Sequence, residues 1–204
     1  MLYIFDEVDK MDDITPEGMI SLLSEERYEK VKRFRSPLAR NASVAAYLLL
    51  RLALREIYCI NKAVDFEYTE KGKPLLKDYP QIYFSISHSK HIAACAVSGF
   101  EVGIDVQYIA PVSDAVAKRV LTRKEFAGYK SAPAKDEYFC EIWTIKESFL
   151  KKTGQGIATN IKDLAAENVP EKMIYRGKDY FCCVCGQEMD IKHIGREDFG
   201  QLFN

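Results

Sequence analysis

The run ARNASVAAYLLLRLALREIYCI, residues 39–60, restricts the fold more than any other segment of this chain. Its apolar residues recur at helical spacing over roughly twenty positions, and Pro37 stands just before it. A helix that is apolar on nearly every side is enclosed by other elements rather than laid on a surface. We therefore predict a central helix in the first half of a folded domain.

Short strands and further helices surround this helix in a repeating order. Both halves run from strand to helix to strand, which predicts an α+β fold built from two similar halves, residues 1–101 and 102–204. We expect the halves to be related by pseudo-twofold symmetry. Predicted helices cover residues 14–35, with Ser24 as N-cap, and 113–152, with a break near 131–133. The predicted strands are MLYIFDEV, VDFEYT, QIYFSIS, HIAACAVS, EVGIDVQ and, from about Lys172 onward, DYFCCVCG and MDIKHIG.

The charge balance argues against several classes of partner. The formal net charge of the 204 residues is −1, so we expect no nucleic-acid binding and look for local basic clusters instead. Acidic residues come too early for a signal peptide, and no apolar run reaches the roughly 18 residues of a membrane span. We expect a cytoplasmic monomer with reduced thiols.

Three of the six cysteines, Cys182, Cys183 and Cys185, leave two interpretations open. They could bind zinc if two further ligands lay nearby, and only His193 is close in sequence. They could instead be small apolar side chains of a buried strand, YFCCVC, which we favour.

The segment EVGIDVQ alternates along a predicted strand. Val102, Ile104 and Val106 would face the core, which leaves Asp105 and Gln107 together on the other face beside a glycine. Carboxylate and amide oxygens are ligands that Mg²⁺ accepts. The alternative is an ordinary half-exposed strand edge.

The segment WTIKESFLKKTGQGI, residues 143–157, continues a helix whose inward stripe is Tyr138, Ile142, Ile145 and Phe149. Glu147 and Lys151 lie away from that stripe, one turn apart. They could form an exposed ion pair that contributes about 0.3–0.5 kcal/mol. Alternatively, Glu147 and Asp105 hold one Mg²⁺, and Lys151 faces the phosphate that the metal binds.

Three further segments could bind an anion. FSISHS ends a strand with Ser87 and His88, EKGKP carries Lys73 in a turn, and ERYEKVKRF places Arg27 and Lys30 on one helical face. A Ser–His hydrolase pair is a weak alternative, because the two residues are adjacent in a strand and no nucleophile elbow is present. Several basic clusters in a chain of net charge −1 suit a polyphosphate ligand.

These segments, in this order, resemble the 4'-phosphopantetheinyl transferase superfamily in its surfactin-type, pseudo-dimeric branch. The family pattern is a strand reading G-[IV]-D, followed some forty residues later by [FW]-[SCTA]-x-K-E-[SA]-x-x-K. Here the two parts are Gly103–Asp105 and Trp143–Lys151, and the second is a full match. GKP at 72–74 and ISHS at 86–89 are further landmarks, so that the resemblance covers nearly the whole chain.

The resemblance implies Mg²⁺-dependent transfer of 4'-phosphopantetheine from coenzyme A to a serine hydroxyl of an apo acyl or peptidyl carrier protein. The other product would be adenosine 3',5'-bisphosphate. The active site would lie in a cleft between the halves. The implied roles are metal ligation by Asp105, Gln107 and Glu147, proton abstraction by Glu147, phosphate contact by Lys151, and nucleotide binding by Arg27, Lys30, Lys73, Ser87 and His88.

One departure concerns the metal. The family often has a glutamate two residues after the aspartate, whereas this chain has Gln107, so the site carries one charge less. A non-catalytic module that binds coenzyme A or a carrier protein is therefore the alternative function. The basic stretch AKRVLTRKEF, residues 117–126, could meet the acidic helix of a carrier protein or could be a solvated helix face.

Overall fold

Two sheets lie face to face with a long helix on each outer side. The computed structural model describes residues 1–11, 22–156 and 160–203. The α+β class is confirmed. The strands are β1 (Leu2–Phe5), β2 (Phe66–Tyr68), β3 (Pro74–Leu76), β4 (Tyr83–Ser89), β5 (Ile92–Ser98), β6 (Gly103–Tyr108), β7 (Lys172–Arg176), β8 (Tyr180–Cys185) and β9 (Ile191–His193). The α-helices are α1 (Glu25–Val31), α2 (Pro37–Tyr58), α3 (Asp114–Val120), α4 (Arg123–Ser131) and α5 (Lys135–Thr153), and short 3-10 helices cover Val8–Lys10, Ile161–Asp163, Ala166–Asn168 and Arg196–Phe203.

The first sheet has the strand order β4-β5-β1-β9. Its first three strands are antiparallel, whereas β9 runs parallel to β1, with Leu2 opposite Ile191. The second sheet, β6-β8-β7, is antiparallel throughout. Strands β2 and β3 form a separate hairpin. The chain therefore returns to its first sheet with its last strand.

Helix α2 confirms the predicted central helix. Ser36 caps its start by accepting a hydrogen bond from the Ala39 N–H, and Pro37 occupies the first turn, where no backbone donor is needed. The helix ends at Cys59, whose φ of 57° lies in the left-handed region. It buries fourteen consecutive residues, from Asn41 to Leu54, against the outer face of the first sheet.

The inner faces of the two sheets form a second core. Small side chains of β5, Ala94 and Ala96, meet Ile104 and Val106 of β6, together with Val184 of β8. This confirms which face of β6 is apolar. The opposite face, with Gly103, Asp105 and Gln107, therefore turns toward α5.

Helix α5 packs on this outer face of the second sheet. Ile142 and Ile145 lie in a core with Cys183 and Cys185, as the predicted inward stripe requires. The approach is closest at Gly103, where a Cβ atom would overlap the backbone of Ser148 and Lys152. Glycine at this position therefore allows the helix to reach the strand.

Several predicted boundaries were wrong. Strand β3, which begins at the last residue of the predicted turn EKGKP, was not predicted. The tail has three strands instead of two, because β7 precedes β8. The long helical segment has an extra break after Val120, where Thr122 starts a new helix with a capping box. Helix α1 follows the predicted N-cap, Ser24, and is shorter than predicted, while residues 14–21 lie outside the described part of the chain.

The buried-strand interpretation of the cysteines is confirmed, since all six residues of β8 are buried. Cys182 faces the core between the sheets, whereas Cys183 and Cys185 face α5. His193 lies on β9 in the other sheet. The three thiols therefore do not converge on one point, and the zinc hypothesis was wrong.

Strand β9 belongs to the predicted second half yet completes the sheet of the first. The division at residues 101 and 102 and the pseudo-twofold relation remain predictions. Across the described ranges, no helix combines the length and the apolar character needed to cross a membrane.

Candidate active site

Asp105 lies in the middle of β6 and is only 6% exposed. Its Oδ1 atom accepts hydrogen bonds from Ser87 Oγ at 2.8 Å and from Lys151 Nζ at 2.7 Å. Its Oδ2 atom is buried and has no hydrogen-bond partner among the residues that the structure describes. Because a buried carboxylate oxygen without a partner is unfavourable by about 1–3 kcal/mol, this oxygen is a candidate ligand atom.

Glu147 lies on α5 one turn before Lys151 and lines the same cleft. Burial raises the pKa of Glu147, and the negative charge of Asp105 raises it further, while Lys151 opposes the shift. The two carboxylates are thus close enough to repel each other. The exposed-pair interpretation was wrong, because Lys151 forms its ion pair with the buried Asp105 of β6.

The cleft has a volume of about 520 Å³. It is lined by Lys71 and Lys73 of the β2–β3 turn and by Glu147 and Lys151 of α5. Apolar side chains, among them Leu150, complete the lining. An apolar cleft with a few convergent charged groups is typical of a small-molecule binding site.

Lys73 is held at the end of α5. Its Nζ atom donates a hydrogen bond to the carbonyl oxygen of Lys152 and lies 3.6 Å from a carboxylate oxygen of Glu101. Its side chain also packs against Gly154, which ends the helix with a φ of 64°. A cation is favourable at a helix C-terminus. Lys73 thus joins the β2–β3 turn to the helix that carries Glu147.

Four predicted anion-binding residues gather near the end of β4. Removal from bulk water lowers the pKa of His88 to about 4, and the charges of Lys151, Arg27 and Lys30 lower it in the same direction. Part of the His88 ring remains exposed. His88 is therefore neutral at pH 7 and would contact an anion as a hydrogen-bond donor.

Arg27 is almost fully buried rather than exposed on a helix surface. Its guanidinium lies over the rings of Tyr47 and Phe66, at 5.5 and 5.7 Å, and donates to Ser43 at 3.1 Å. Burial lowers its pKa and leaves its Nε atom without a partner. Arg27 thus anchors α1 on α2 and contributes positive charge to the region around His88.

The residues present fit a divalent cation. Asp105 offers a free buried oxygen, Glu147 adds a second carboxylate, and Gln107 lies half-buried two residues along the same face of β6. Within the described ranges no group of three or more His, Cys, Asp and Glu residues converges. The predicted set has only two acidic members, and the amide oxygen of Gln107 would be the third ligand.

Sequence reasoning did not assign a role to Lys146, the residue before Glu147. Its side chain is fully buried and donates to Glu125 Oε2 at 2.6 Å and to the Val120 carbonyl at 2.9 Å. The capping box of Thr122 and Glu125 was visible as T-R-K-E in the sequence. The capping box places the Glu125 carboxylate at the start of α4, and this carboxylate also accepts a hydrogen bond from Lys146.

Two family models match this chain. The family model described as 4'-phosphopantetheinyl transferase superfamily matches residues 101–193, and the one described as 4'-phosphopantetheinyl transferase, N-terminal, matches residues 15–99. The chain belongs to the 4'-phosphopantetheinyl transferase superfamily. The relatives place it in the surfactin-type branch.

Three relatives illustrate the similarity. The 4'-phosphopantetheinyl transferase Sfp of Bacillus subtilis is 32% identical, over 70% of this chain and 65% of its own length. HetI of a Nostoc species is 34% identical, over 70% of this chain and 64% of its own. The transferase gsp of Aneurinibacillus migulanus is 31% identical, over 76% and 67%. The chain thus spans slightly less than two thirds of several curated relatives that it matches.

Proposed function

We propose that this protein transfers the 4'-phosphopantetheine arm of coenzyme A to a serine hydroxyl of an apo acyl or peptidyl carrier protein. The reaction would require Mg²⁺ and release adenosine 3',5'-bisphosphate. The observation that carries the proposal is the buried Oδ2 atom of Asp105, which lacks a partner among the described residues and lies close to Glu147 and Lys151, two residues that line a cleft of about 520 Å³. Family membership supports the same activity.

Asp105, Glu147 and Gln107 would hold the Mg²⁺ ion. When bound, the ion would neutralise charge on the pyrophosphate of coenzyme A. Lys151 lies beside Asp105 and can donate to a phosphate oxygen from the same side. Lys71 and Lys73 also line the cleft, so that an anionic ligand there would meet further positive charge.

Glu147 is the candidate general base. In the transfer, the serine oxygen bonds to the phosphorus that carries the pantetheine arm, and the bond from that phosphorus to the departing nucleotide oxygen breaks. The serine proton passes to the Glu147 carboxylate. Burial and Asp105 raise the pKa of Glu147, which makes it a better proton acceptor than an ordinary glutamate.

His88, Lys30 and Arg27 would bind the nucleotide end of coenzyme A. The positive charges of Lys30 and Arg27 both act on the neutral His88 ring at the end of β4, which supports a shared anion site. Ser87, which we also predicted to contact the nucleotide, donates its proton to Asp105.

The carrier protein would dock beside the cleft. Lys118 and Arg119 of α3 and Arg123 at the start of α4 are exposed, and Val116 on the same helix is 44% exposed. Lys124 pairs with Glu167 and is less available. A basic surface with an apolar residue suits an acidic helix, and its attraction should weaken as salt concentration rises.

The experiment is a carrier panel. Purified protein is incubated with coenzyme A, Mg²⁺ and apo acyl or peptidyl carriers, and intact-mass spectrometry follows the carriers. We expect one carrier at least to gain the mass of one phosphopantetheine arm and expect chelation of the metal to stop the gain. Folded, metal-supplied protein that modifies no carrier in the panel, while still binding coenzyme A, would overturn the proposal in favour of a binding module.

A further inference from the structure

Strands β4 and β6 belong to different sheets and are joined by serine side chains. The Oγ atoms of Ser85, Ser87 and Ser89 accept hydrogen bonds from the backbone N–H groups of the facing strand. The three distances are 3.0 Å to Ile104, 3.2 Å to Val106 and 3.1 Å to Tyr108. Alternate residues of a strand point to one side, so the serines form a regular ladder.

The serine ladder accepts hydrogen bonds from backbone N–H groups of β6 that point away from β8. In an antiparallel pair, alternate residues direct their backbone groups away from the partner strand. Here those residues on β6 are the three that donate to the serines. Serine oxygens thus replace the carbonyl groups of a neighbouring strand along the edge of the second sheet.

Ser87, the middle serine, forms hydrogen bonds beyond its ladder bond. Ser87 Oγ accepts from the Val106 N–H and from Lys151 Nζ at 3.0 Å. A hydroxyl has two acceptor positions and one proton, so the proton must go to the third neighbour, Asp105 Oδ1 at 2.8 Å. Every hydrogen-bonding position of Ser87 is therefore used, and the direction of each bond is fixed.

This arrangement fixes the rotation of the Asp105 carboxylate. Oδ1 is occupied by Ser87 and Lys151, and Oδ2 is buried without a partner among the described residues. If the carboxylate were free to turn about the Cβ–Cγ bond, its plane would tilt and the second oxygen would change direction. Ser87 and its bond to the β6 backbone remove that freedom.

We infer that Ser87 is a positioning residue, which holds Asp105 so that one chosen oxygen faces the divalent cation. The inference rests on the proposed function, because the cation is that of the transfer site. It assigns Ser87 to the support of a metal ligand instead of direct contact with the nucleotide. Partners that orient metal ligands typically contribute 10- to 100-fold to metal affinity.

The test compares two serines of the same ladder. Ser87→Ala removes the ladder bond, the bond to Asp105 and the bond from Lys151, whereas Ser89→Ala removes only the ladder bond to Tyr108. Mn²⁺ alone serves as the probe, and its affinity is measured by water-proton relaxation on the full chain. We expect Ser87→Ala to weaken Mn²⁺ binding at least about tenfold and Ser89→Ala to stay within about twofold.

A second variant and a second ligand complete the design. Ser87→Cys keeps the side-chain size but replaces the hydroxyl with a thiol, which is a weak donor. It should therefore also weaken Mn²⁺ binding, and it provides the test if the alanine variant does not fold. The affinity for coenzyme A at saturating Mn²⁺ should change less than twofold in both Ser87 variants.

Three results would overturn the inference. They are wild-type Mn²⁺ affinity in the folded Ser87 variants, an equal loss in Ser89→Ala, or a loss confined to coenzyme A binding. Each of these can occur while the wild-type protein still modifies carriers. Failure of the wild type in the carrier panel is thus a separate outcome, which concerns the proposed function.

Discussion

Nζ of Lys146 lies 2.6 Å from Oε2 of Glu125, and no part of the Lys146 side chain is exposed. The next residue, Glu147, lines the cleft on a different side of the same helix. Two adjacent residues of α5 therefore have different roles. Lys146 fixes α5 to the start of α4, and Glu147 is presented to the ligand from the helix thus fixed.

Removal of one partner should strongly destabilise the fold. Lys146→Met leaves the Glu125 carboxylate buried without its cation, and we expect a loss of about 3–5 kcal/mol in the free energy of unfolding. Urea titration would measure it. Lys124→Met is the matched control, because the Lys124–Glu167 pair is exposed and its loss should change stability far less. A loss below about 1 kcal/mol for Lys146→Met would contradict this prediction.

The same pair predicts a pH dependence. Burial alone would raise the pKa of Glu125, but hydrogen bonds from Lys146 and from the N–H groups of Ala166 and Thr122 outweigh it and lower the pKa. A carboxyl whose pKa is lower in the folded state stabilises the protein above its unfolded pKa, about 4.3, and loses this effect as pH falls through the folded value. The stability gap between wild type and Glu125→Gln should therefore shrink below about pH 4.3. Unfolding curves from pH 7 to pH 3 would check it, and a constant gap would count against the prediction.

Glu147→Ala should abolish transfer and leave the fold intact. General-base catalysis contributes about 10²–10⁴-fold, and Glu147 is also a proposed metal ligand, so we expect a loss of at least about 10³-fold in the carrier assay. Glu137→Ala is the control on the same helix, since Glu137 pairs with Arg176 at the surface. Near wild-type turnover by the Glu147 variant would remove this residue from the mechanism.

Gln107→Glu should tighten metal binding. The substitution adds a carboxylate to a site that now has two, and an affinity gain of about tenfold corresponds to roughly 1.4 kcal/mol. The Mg²⁺ concentration for half-maximal transfer should fall accordingly. Gln187→Glu adds the same charge on an exposed turn and should have no effect. An unchanged Mg²⁺ requirement would show that residue 107 is not a ligand.

Gly103→Ala should displace α5. The added methyl group would overlap backbone atoms of Ser148 and Lys152, which cannot move without the helix. We expect a stability loss of about 3 kcal/mol, the upper part of the range for overpacking, together with reduced transfer. Gly99→Ala is the control, because a Cβ there meets no atom within 4 Å. Thermal unfolding of both variants would decide, and equal stability would refute the close approach.

The sequence predicted those parts of the molecule in which local pattern and tertiary structure agree. The apolar run of α2 and the alternation of β6 both lie where expected. The spacing of Glu147 and Lys151 also placed both side chains in one cleft. In each case the period of the side chains decides which face is buried, so a single segment carries the information.

What escaped prediction depends on partners far apart in the chain. Lys146 has an ordinary charged side chain, and its burial follows only from Glu125, 21 residues earlier. Strand β3 has three residues, too few for a period to show. The serine ladder arises because two different sheets place β4 beside β6, although the alternation of Ser85, Ser87 and Ser89 was visible in FSISHS.

The parallel pairing of β1 with β9 has a consequence for biosynthesis. Leu2 leaves the ribosome long before its partner Ile191. Contacts of such long sequence separation form late, because closing a long loop must precede any gain from the contact. The outer edge of β1 therefore stays open during translation, and the first sheet receives its fourth strand only after β8 has emerged.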